Sequence, residues 1–226
     1  MLSRLCVLVL LLSSCAPTSP LSHPSLIDQI LSPCVRVMRP DGGGGSGTVI
    51  MSDQEKGTFI LTAAHVVQAF RDDCIQVDLF EYDEDGQVVG STSVEGCIVD
   101  FNSDEDLAAI RIDYQPSAVV APIYQGSLRL FQDVYIVGCP VLVSPIVTKG
   151  HVTKLNSMGG PALRPCACTS ADIFLGSSGG GAMVEVDGMW YLAGVVSWMN
   201  IHGQYITYLG YCSTPERLRA FLEWKI

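Results

Sequence analysis

Short runs of apolar or alternating apolar and polar residues recur along the chain, separated by Gly, Pro, Asp and Ser. Runs of this kind between turn residues are typical of β-strands, because side chains alternate between the two faces of a strand. Their regular spacing predicts an all-β sandwich or barrel. The predicted strands are Val35–Met38, Thr48–Met51, Phe59–Thr62, Ile75–Tyr82, Val94–Val99, Leu107–Ile112, Val119–Tyr124, Val134–Val137, Ile146–Leu155, Ala182–Val186, Trp190–Trp198 and Tyr205–Tyr208.

Turn and helix signals interrupt this strand pattern at a few places. Asp187-Gly188 separates two strand-like runs by two residues, which predicts a tight hairpin, and Asp85-Gly86 predicts another turn. Residues 63–70 are expected to form a short helical turn after a strand. Near the end of the chain, Thr214-Pro215 followed by an amphipathic segment predicts a capped terminal helix.

The N-terminus has the features of a targeting segment. Arg4 precedes the apolar run Leu5 to Leu12, which is too short to span a bilayer and is typical of a signal peptide. The run ends in Leu12-Ser13-Ser14-Cys15, which resembles a bacterial lipobox, so residues 1–14 are predicted to be removed and Cys15 to be lipidated. An ordinary signal peptide with a chance cysteine is the alternative. Residues 15–32 would then form a tether.

The resemblance to a lipoprotein also implies a location. The residue after Cys15 is Ala16 rather than Asp, which in bacterial lipoproteins favours the outer membrane. The expected location is therefore the periplasmic face of that membrane, with the lipid as the only membrane contact.

Composition narrows the classes of function. The formal net charge is −10 and no basic run occurs, so nucleic acid is not an expected partner. Nine cysteines fit an exported protein. With Cys6 removed and Cys15 lipidated, seven remain, so at most three internal disulfides can form. The spacing Cys166-Ala167-Cys168 is not a zinc signature, and neither a metal nor a cofactor is expected.

Three segments carry candidate chemistry. Thr62-Ala63-Ala64-His65 closes one apolar run, Asp104 to Ala108 opens another, and Gly176-Ser177-Ser178-Gly179-Gly180 is glycine-rich. A serine hydroxyl needs a base within hydrogen-bond reach to act as a nucleophile, and a carboxylate orients that base. His65, Asp106 and Ser178 are therefore predicted as a catalytic triad. The backbone N–H groups of Gly176 and Ser178 are predicted to form an oxyanion hole, which the glycines would permit.

Each segment has a plainer reading: a Gly-Ser loop, a structural histidine and an acidic residue at a strand entry. The order His65, Asp106, Ser178 is that of chymotrypsin-type serine proteases. From about Cys34 onward the chain resembles a trypsin-like protease domain of the HtrA/Deg type, without that family's usual PDZ domains. The segments that resemble it are GSGTVI (45–50), FILTAAHVV (59–67), DEDLAAIRI (104–112), VGCP (137–140), VTKGHV (147–152), TSADIFLGSSGG (169–180) and GVVSW (194–198).

This resemblance implies two six-stranded antiparallel β-barrels of chymotrypsin type, with a C-terminal helix. The expected division is an N-terminal barrel in residues 33–118 and a C-terminal barrel with the helix in residues 119–226. The region from Pro116 to Pro122 would connect them, and the triad would lie in the cleft between them. Ser197 and Trp198 would belong to the strand that pairs with bound substrate.

The predicted function is a serine endopeptidase that cleaves extended or unfolded polypeptides through an acyl-enzyme. A catalytically silent module that binds peptides in the same cleft is the alternative. Asp172, six residues before Ser178, stands where trypsin carries the acid that binds Arg or Lys. However, the loop around Asp172 looks more like that of HtrA enzymes, and Met199 would make the pocket entrance narrow and apolar. Cleavage after small or medium aliphatic residues is therefore expected.

Overall fold

The computed structural model describes residues 25–159, 164–201 and 205–223. The predicted signal peptide (1–14), the lipidation site Cys15 and the first part of the predicted tether lie outside these residues. The last part of that tether is packed against the fold: Ile27–Leu31 forms a helical turn, and Ile30 is buried in the core. The side chain of Gln29 accepts a hydrogen bond of 3.1 Å from the backbone N–H of Trp190.

Twelve strands in the described residues form two closed antiparallel barrels of six strands each, which confirms the expected fold. In the first barrel the spatial order is β1-β2-β3-β6-β5-β4, and in the second it is β10-β11-β12-β9-β8-β7. The strands of the first barrel are β1 Cys34–Met38, β2 Gly44–Asp53, β3 Gly57–Thr62, β4 Ile75–Tyr82, β5 Val88–Asn102 and β6 Leu107–Ile112. Those of the second are β7 Asp133–Gly138, β8 Ile146–Gly159, β9 Arg164–Thr169, β10 Gly181–Val186, β11 Met189–Ile201 and β12 Tyr205–Cys212.

One predicted strand is wrong and one strand was not predicted. The segment Val119–Tyr124 is an extended connection between the barrels, with a single bridge from Ile123 to Leu192. Pro122 lacks an N–H group, so this segment cannot form a regular ladder. The sixth strand of the second barrel is β9 instead. Its sequence gives no alternating signal, because four consecutive residues, Cys166 to Thr169, are all buried.

The predicted turns and helices are present, with one exception. At the hairpin between β10 and β11, Asp187 and Gly188 both have positive φ, 52° and 79°, as a tight two-residue turn requires. Helix α1 spans Ala64–Val67, within the predicted helical turn, and helix α2 spans Pro215–Leu222. Thr214 is the N-cap residue of α2 and Pro215 its first residue, as predicted, but the Thr214 side chain makes no capping hydrogen bond.

One apolar cluster spans the two barrels, and a second lies within the second barrel. Buried residues from the first barrel, such as Ile60 and Ile110, belong to the same cluster as Val137, Leu192 and Leu218 from the second barrel and α2. The barrels are therefore packed together rather than joined only by a connection. No helix within the described ranges is long and apolar enough to cross a membrane.

Candidate active site

His65 lies at the end of the first barrel, in the short helix α1 that follows β3. Ala63 and Ala64 are fully buried, and their small side chains allow the chain to turn tightly against the barrel. The hydroxyl of Thr62 donates a hydrogen bond of 2.7 Å to the carbonyl of Ser46, which fixes the end of β3 to β2. The side chain of His65 remains 43% exposed, so one face of the imidazole is open to a ligand.

Asp106 is held in the loop between β5 and β6. The side chain of Asn102 accepts hydrogen bonds of 3.0 and 3.1 Å from the N–H groups of Asp104 and Glu105, which forms a tight turn. Glu105 forms an ion pair with Arg217, which ties this loop to α2. The next residue, Asp106, adopts φ of +53°, an unusual conformation for a residue other than glycine, and is 5% exposed.

The carboxylate of Asp106 accepts hydrogen bonds from three donors. The Nδ1 atom of His65 lies 2.9 and 3.0 Å from the two carboxylate oxygens, and the backbone N–H of His65 donates at 2.9 Å. The hydroxyl of Ser197, on β11, also donates to it. Burial alone would raise the pKa of Asp106, but the hydrogen bonds and charge of His65, with the Ser197 hydroxyl, lower it below its usual range. The carboxylate is therefore ionised, and it turns Nε2 of His65 outward.

Ser178 lies in the loop between β9 and β10, and its main chain is anchored on both sides. Its carbonyl accepts a hydrogen bond of 2.7 Å from the N–H of Ser46, and the N–H of Gly179 donates 2.8 Å to Val196. Gly179 has φ of +87°, and a Cβ there would lie 2.1 Å from the carbonyl oxygen of Ser46. Only glycine allows this approach, so the loop docks directly onto the first barrel.

The same docking brings Ser178 to the histidine segment. A Cβ built on Gly45 would lie 2.6 Å from the carbonyl oxygen of Ser178 and 2.9 Å from a methyl group of Val66, the neighbour of His65. Within the described residues, the hydroxyl of Ser178 makes no hydrogen bond to His65. Such bonds are often long in unliganded enzymes and shorten when substrate binds.

The two backbone N–H groups predicted for the oxyanion hole donate no hydrogen bond among the described residues. The carbonyl of Leu175 accepts a hydrogen bond of 2.6 Å from Val141, and the carbonyl of Ser177 accepts one of 2.9 Å from Gly180. In a trans peptide the N–H points opposite to the carbonyl, so the N–H groups of Gly176 and Ser178 point away from these partners. Neither N–H meets an acceptor in the part of the chain that the structure describes.

Ser46 has a supporting role that the sequence did not reveal. Its buried hydroxyl donates 2.7 Å to the carbonyl of Gly176 and accepts 2.7 Å from the N–H of Cys139. It therefore joins the first barrel to two segments of the second, one at Gly176 and one at Cys139. The only sequence signal is a serine between two glycines in an otherwise apolar strand.

The predicted substrate-binding residues lie on two neighbouring segments. Trp198 is 36% exposed on β11, whereas Met199 is buried in the apolar cluster of the second barrel. The side chain of Ser197 is bound to Asp106, so any contact of Ser197 with substrate would come from its backbone. Asp172 is exposed, and its carboxylate accepts a hydrogen bond of 2.7 Å from Thr207.

Sequence reasoning missed Ile173. It is buried in the same cluster as Met199, and its side chain occupies the space beside Gly210, where a Cβ would come within 2.0 Å of it. The strand carrying Met199 pairs with Gly210. Ile173 and Met199 therefore belong to one apolar cluster, and Ile173 directly follows the acid Asp172 in the chain. Among the described residues, no group of three or more His, Cys, Asp or Glu side chains could hold a metal ion.

Known proteins resemble this chain in sequence and in structure. The family described as the trypsin-like peptidase domain matches residues 45–191. Comparison with curated protein sequences finds no match. The chain is similar in structure to the Mycobacterium tuberculosis H37Rv protease Rv3671c in an inactive serine-to-alanine mutant form, with a TM-score of 0.67 and 20% identity over 87% of this chain and 88% of that chain.

A second similar structure is that of AlgW, an HtrA-type protease solved with a tripeptide. Its TM-score is 0.70 and its identity 19%, over 87% of this chain and 61% of the AlgW chain. The present chain therefore spans less than two thirds of AlgW. At these identities the structural likeness establishes the fold alone, whereas the family match covers more than half of this chain.

Proposed function

The chain belongs to the trypsin-like peptidase domain family, and on that premise we propose that it is a serine endopeptidase acting through an acyl-enzyme. The observation that carries the proposal is the ionised, buried Asp106 bound to Nδ1 of His65 beside an anchored Ser178. In this proposal Ser178 is the nucleophile, His65 the general base and Asp106 the group that orients His65.

The proposed reaction follows from the hydrogen bonds of this pair. Because Asp106 accepts the proton on Nδ1, the lone pair of neutral His65 is on Nε2, on the open side of the ring. His65 takes the hydroxyl proton as Ser178 attacks the scissile carbonyl, and then gives it to the leaving amine. Water attacks the resulting ester by the same route. Asp106 stabilises the imidazolium formed in both steps.

The oxyanion of each tetrahedral intermediate is proposed to bind the free N–H groups of Gly176 and Ser178. These donors are fixed before substrate arrives, because the neighbouring carbonyls already bind Val141 and Gly180. Fixed donors need no reorganisation during the reaction, and one such donor is typically worth about 100- to 1,000-fold in rate.

An extended polypeptide is the substrate class that the strand geometry favours. Strand β11 pairs with β10 up to Val195. Val196 still exchanges hydrogen bonds with Gly179 and Gly180, the two residues just before β10. In the described residues, Trp198 and Met199 therefore have a strand neighbour only on the β12 side. An open strand edge beside the nucleophile can accept a peptide as an additional strand.

The silent peptide-binding module remains the second candidate, because the hydroxyl of Ser178 is not hydrogen-bonded to His65. Incubating the protein with unfolded casein separates the two. We expect new peptide termini to accumulate with time, together with labelling by a fluorophosphonate probe. A protein that binds casein but releases it uncleaved and resists the probe would be the silent module.

Cleavage specificity is proposed to be aliphatic. Ile173 and Met199 make the pocket apolar, and the Asp172 carboxylate is already hydrogen-bonded to Thr207. In a peptide library, we expect cleavage after Val, Ala or Leu, with the same preference in Asp172→Ser. Ile173→Ala should extend the preference to larger residues such as Phe, since it removes volume beside Gly210. A preference for Arg or Lys that Asp172→Ser abolishes would refute this proposal.

We also propose that the mature protein is a lipoprotein anchored at the periplasmic face of the outer membrane. The basis is Leu12-Ser13-Ser14-Cys15, and the several acyl chains of a bacterial lipoprotein anchor stably. Mass spectrometry of the N-terminal peptide after bacterial expression should show an acylated Cys15. Cys15→Ser should move the protein to the soluble fraction, and an unmodified terminus beyond residue 15 would refute the anchor.

A further inference from the structure

Two cysteines meet where the barrels join, beside the candidate oxyanion hole. Cys34 begins β1 in the first barrel, and Cys139 follows β7 in the second. They are 2% and 0% exposed. Both belong to the apolar cluster that spans the two barrels, and the neighbouring Cys139 thiol, together with burial, raises the pKa of Cys34 well above its usual value. Both are thiols in the structure.

Cys139 is the first residue of a turn that supports Gly176. Its N–H donates to Ser46, and its carbonyl accepts a 3.0 Å hydrogen bond from Leu142. A Cβ on Gly176 would lie 2.6 Å from the carbonyl oxygen of Cys139 and 2.8 Å from the backbone nitrogen of Val141. Any displacement of Cys139 is therefore transmitted to the peptide whose N–H faces the oxyanion.

The turn itself is conformationally unfavourable. Val141 and Leu142 have φ of +45° and +61°, the left-handed region that β-branched residues rarely adopt. Contacts from outside the turn must hold it in this state. Arg36 donates a 2.7 Å hydrogen bond to the carbonyl of Leu142 and is itself paired with Asp78 at 2.8 Å.

Cys34 lies two residues before Arg36, so both side chains project from the same face of β1. Strand β1 therefore contacts the turn at two points, through Arg36 at Leu142 and through Cys34 at Cys139. The first contact is polar and is completed by Asp78. The second lies in the buried apolar cluster that Cys34 and Cys139 share.

We propose that Cys34 and Cys139 are joined by a disulfide in the mature protein, and that this bond fixes the turn that supports the oxyanion hole. The oxidant is a disulfide of the exported compartment, such as oxidised glutathione or a disulfide-donating protein. The two Cys34 and Cys139 S–H bonds and the donor disulfide break, one new S–S bond forms, and the donor leaves as two thiols with the two protons and two electrons.

The order of events follows from burial. A thiolate is required for exchange, and the folded interface disfavours it at Cys34. The bond must therefore form before the barrels close on one another, and afterwards it is shielded from reductants. This makes it a structural cross-link rather than a reversible surface switch.

The remaining cysteines do not compete for these two positions. Cys74 lies opposite Cys97 if the register Ile75↔Gly96 is extended by one residue, and both are exposed within the first barrel. In the second barrel Cys212 pairs with Ala167, so its side chain points to the opposite face of β9 from Cys166 and Cys168. Cys166 and Cys168 lie two residues apart on one strand, so their Cβ atoms are about 6.6 Å apart, beyond the roughly 4.5 Å that a disulfide spans.

Disulfide mapping of the mature protein tests the proposal without relying on its activity. The protein is folded with oxidised and reduced glutathione, denatured, alkylated with iodoacetamide and digested without reductant. We expect a cross-linked pair of peptides that contains Cys34 and Cys139. Alkylation of both residues, or a bond from either of them to another cysteine, would overturn the proposal.

The Tm and the rate of labelling by the probe test what the disulfide does for stability and for the site. The bond would close a loop of roughly 100 residues, so Cys34→Ser should lower the Tm by about 10 °C relative to oxidised wild type. Cys139→Ser and the double mutant should show the same loss, and all three should label severalfold more slowly with the fluorophosphonate probe. Cys97→Ser, in the exposed pair, should keep the wild-type labelling rate.

Wild type folded in the presence of a phosphine reductant should match Cys34→Ser in Tm and labelling. If Cys34→Ser still has a lower Tm and labels more slowly than this reduced wild type, the loss comes from thiol packing rather than from the disulfide, and the proposal fails. The outcomes are distinct from those for the proposed function. A cross-linked protein that never labels would refute the peptidase and leave the disulfide standing.

Discussion

Ser178→Ala is expected to abolish casein hydrolysis and fluorophosphonate labelling while leaving the fold unchanged. Without the hydroxyl no acyl-enzyme forms, and loss of a triad nucleophile lowers kcat by roughly a million-fold. The loop is held by main-chain hydrogen bonds, from Ser46 to Ser178 and from Gly179 to Val196, which the substitution keeps. Labelling by gel fluorescence and the Tm from thermal unfolding measure the two effects separately.

Ser177→Ala is the matched control for this substitution. The adjacent serine is buried, and its hydroxyl accepts a 3.3 Å hydrogen bond from the N–H of Phe174. Its loss should lower the Tm but leave labelling measurable. His65→Ala should be as inactive as Ser178→Ala, and the double mutant should lose little more, because triad residues act as a unit. Full hydrolysis by Ser178→Ala would remove Ser178 from the mechanism.

Asp106→Asn is expected to lower kcat by about 10,000-fold with little change in KM. The carbonyl oxygen of the new side chain must still accept the backbone N–H of His65, so its NH₂ group replaces the oxygen that faces Nδ1 and Ser197. The Ser197 hydroxyl can rotate to accept this donor. The group nearest to Nδ1, at 2.9 Å, is then a donor, so we expect Nδ1 to accept from it, which moves the imidazole proton to Nε2 and leaves His65 unable to act as a base.

Ser197→Ala provides the comparison, since it removes one donor to Asp106 and leaves the tautomer of His65 intact. Ser197→Ala is expected to lower kcat roughly tenfold. Steady-state kinetics on the peptide substrate found in the library screen distinguish the two variants. If Asp106→Asn were no slower than Ser197→Ala, the carboxylate would not orient His65.

The lowered pKa of Asp106 also predicts how stability depends on pH. Its folded pKa lies below the unfolded value of 3.8, so the ionised form adds stability that is fully present above that pH and is lost as the pH falls through the folded pKa. The difference in Tm between wild type and Asp106→Asn should therefore be constant near neutrality and close in acid. A difference that grows on acidification would contradict the assignment.

Strand β6 shows why much of the fold could be predicted from the sequence. Leu107–Ile112 was predicted with the observed bounds, because its apolar residues are bounded by an acidic turn before it and Asp113 after it. His65, Asp106 and Ser178 were predicted as site residues because each stands at the end of a strand-like run or in a glycine-rich loop. Local patterns of this kind do not depend on contacts with distant segments of the chain.

The features that sequence reasoning missed depend on contacts between distant segments. Strand β9 is buried on both faces, so its residues lack alternation, whereas Val119–Tyr124 has an apolar pattern because it packs between the barrels. Ser46 acquires its role only when the second barrel docks on β2. Ile173 packs beside β12 only because Gly210 leaves space for it.

Mapping the fluorophosphonate adduct by peptide mass spectrometry tests the central claim most directly. The probe bonds only to a serine that a neighbouring base activates, so the modified residue identifies the nucleophile. The account predicts one adduct, on Ser178, that is absent from the His65→Ala protein and present at a reduced rate in Ser197→Ala. An adduct on another serine, or labelling of Ser178 that does not depend on His65, would contradict it.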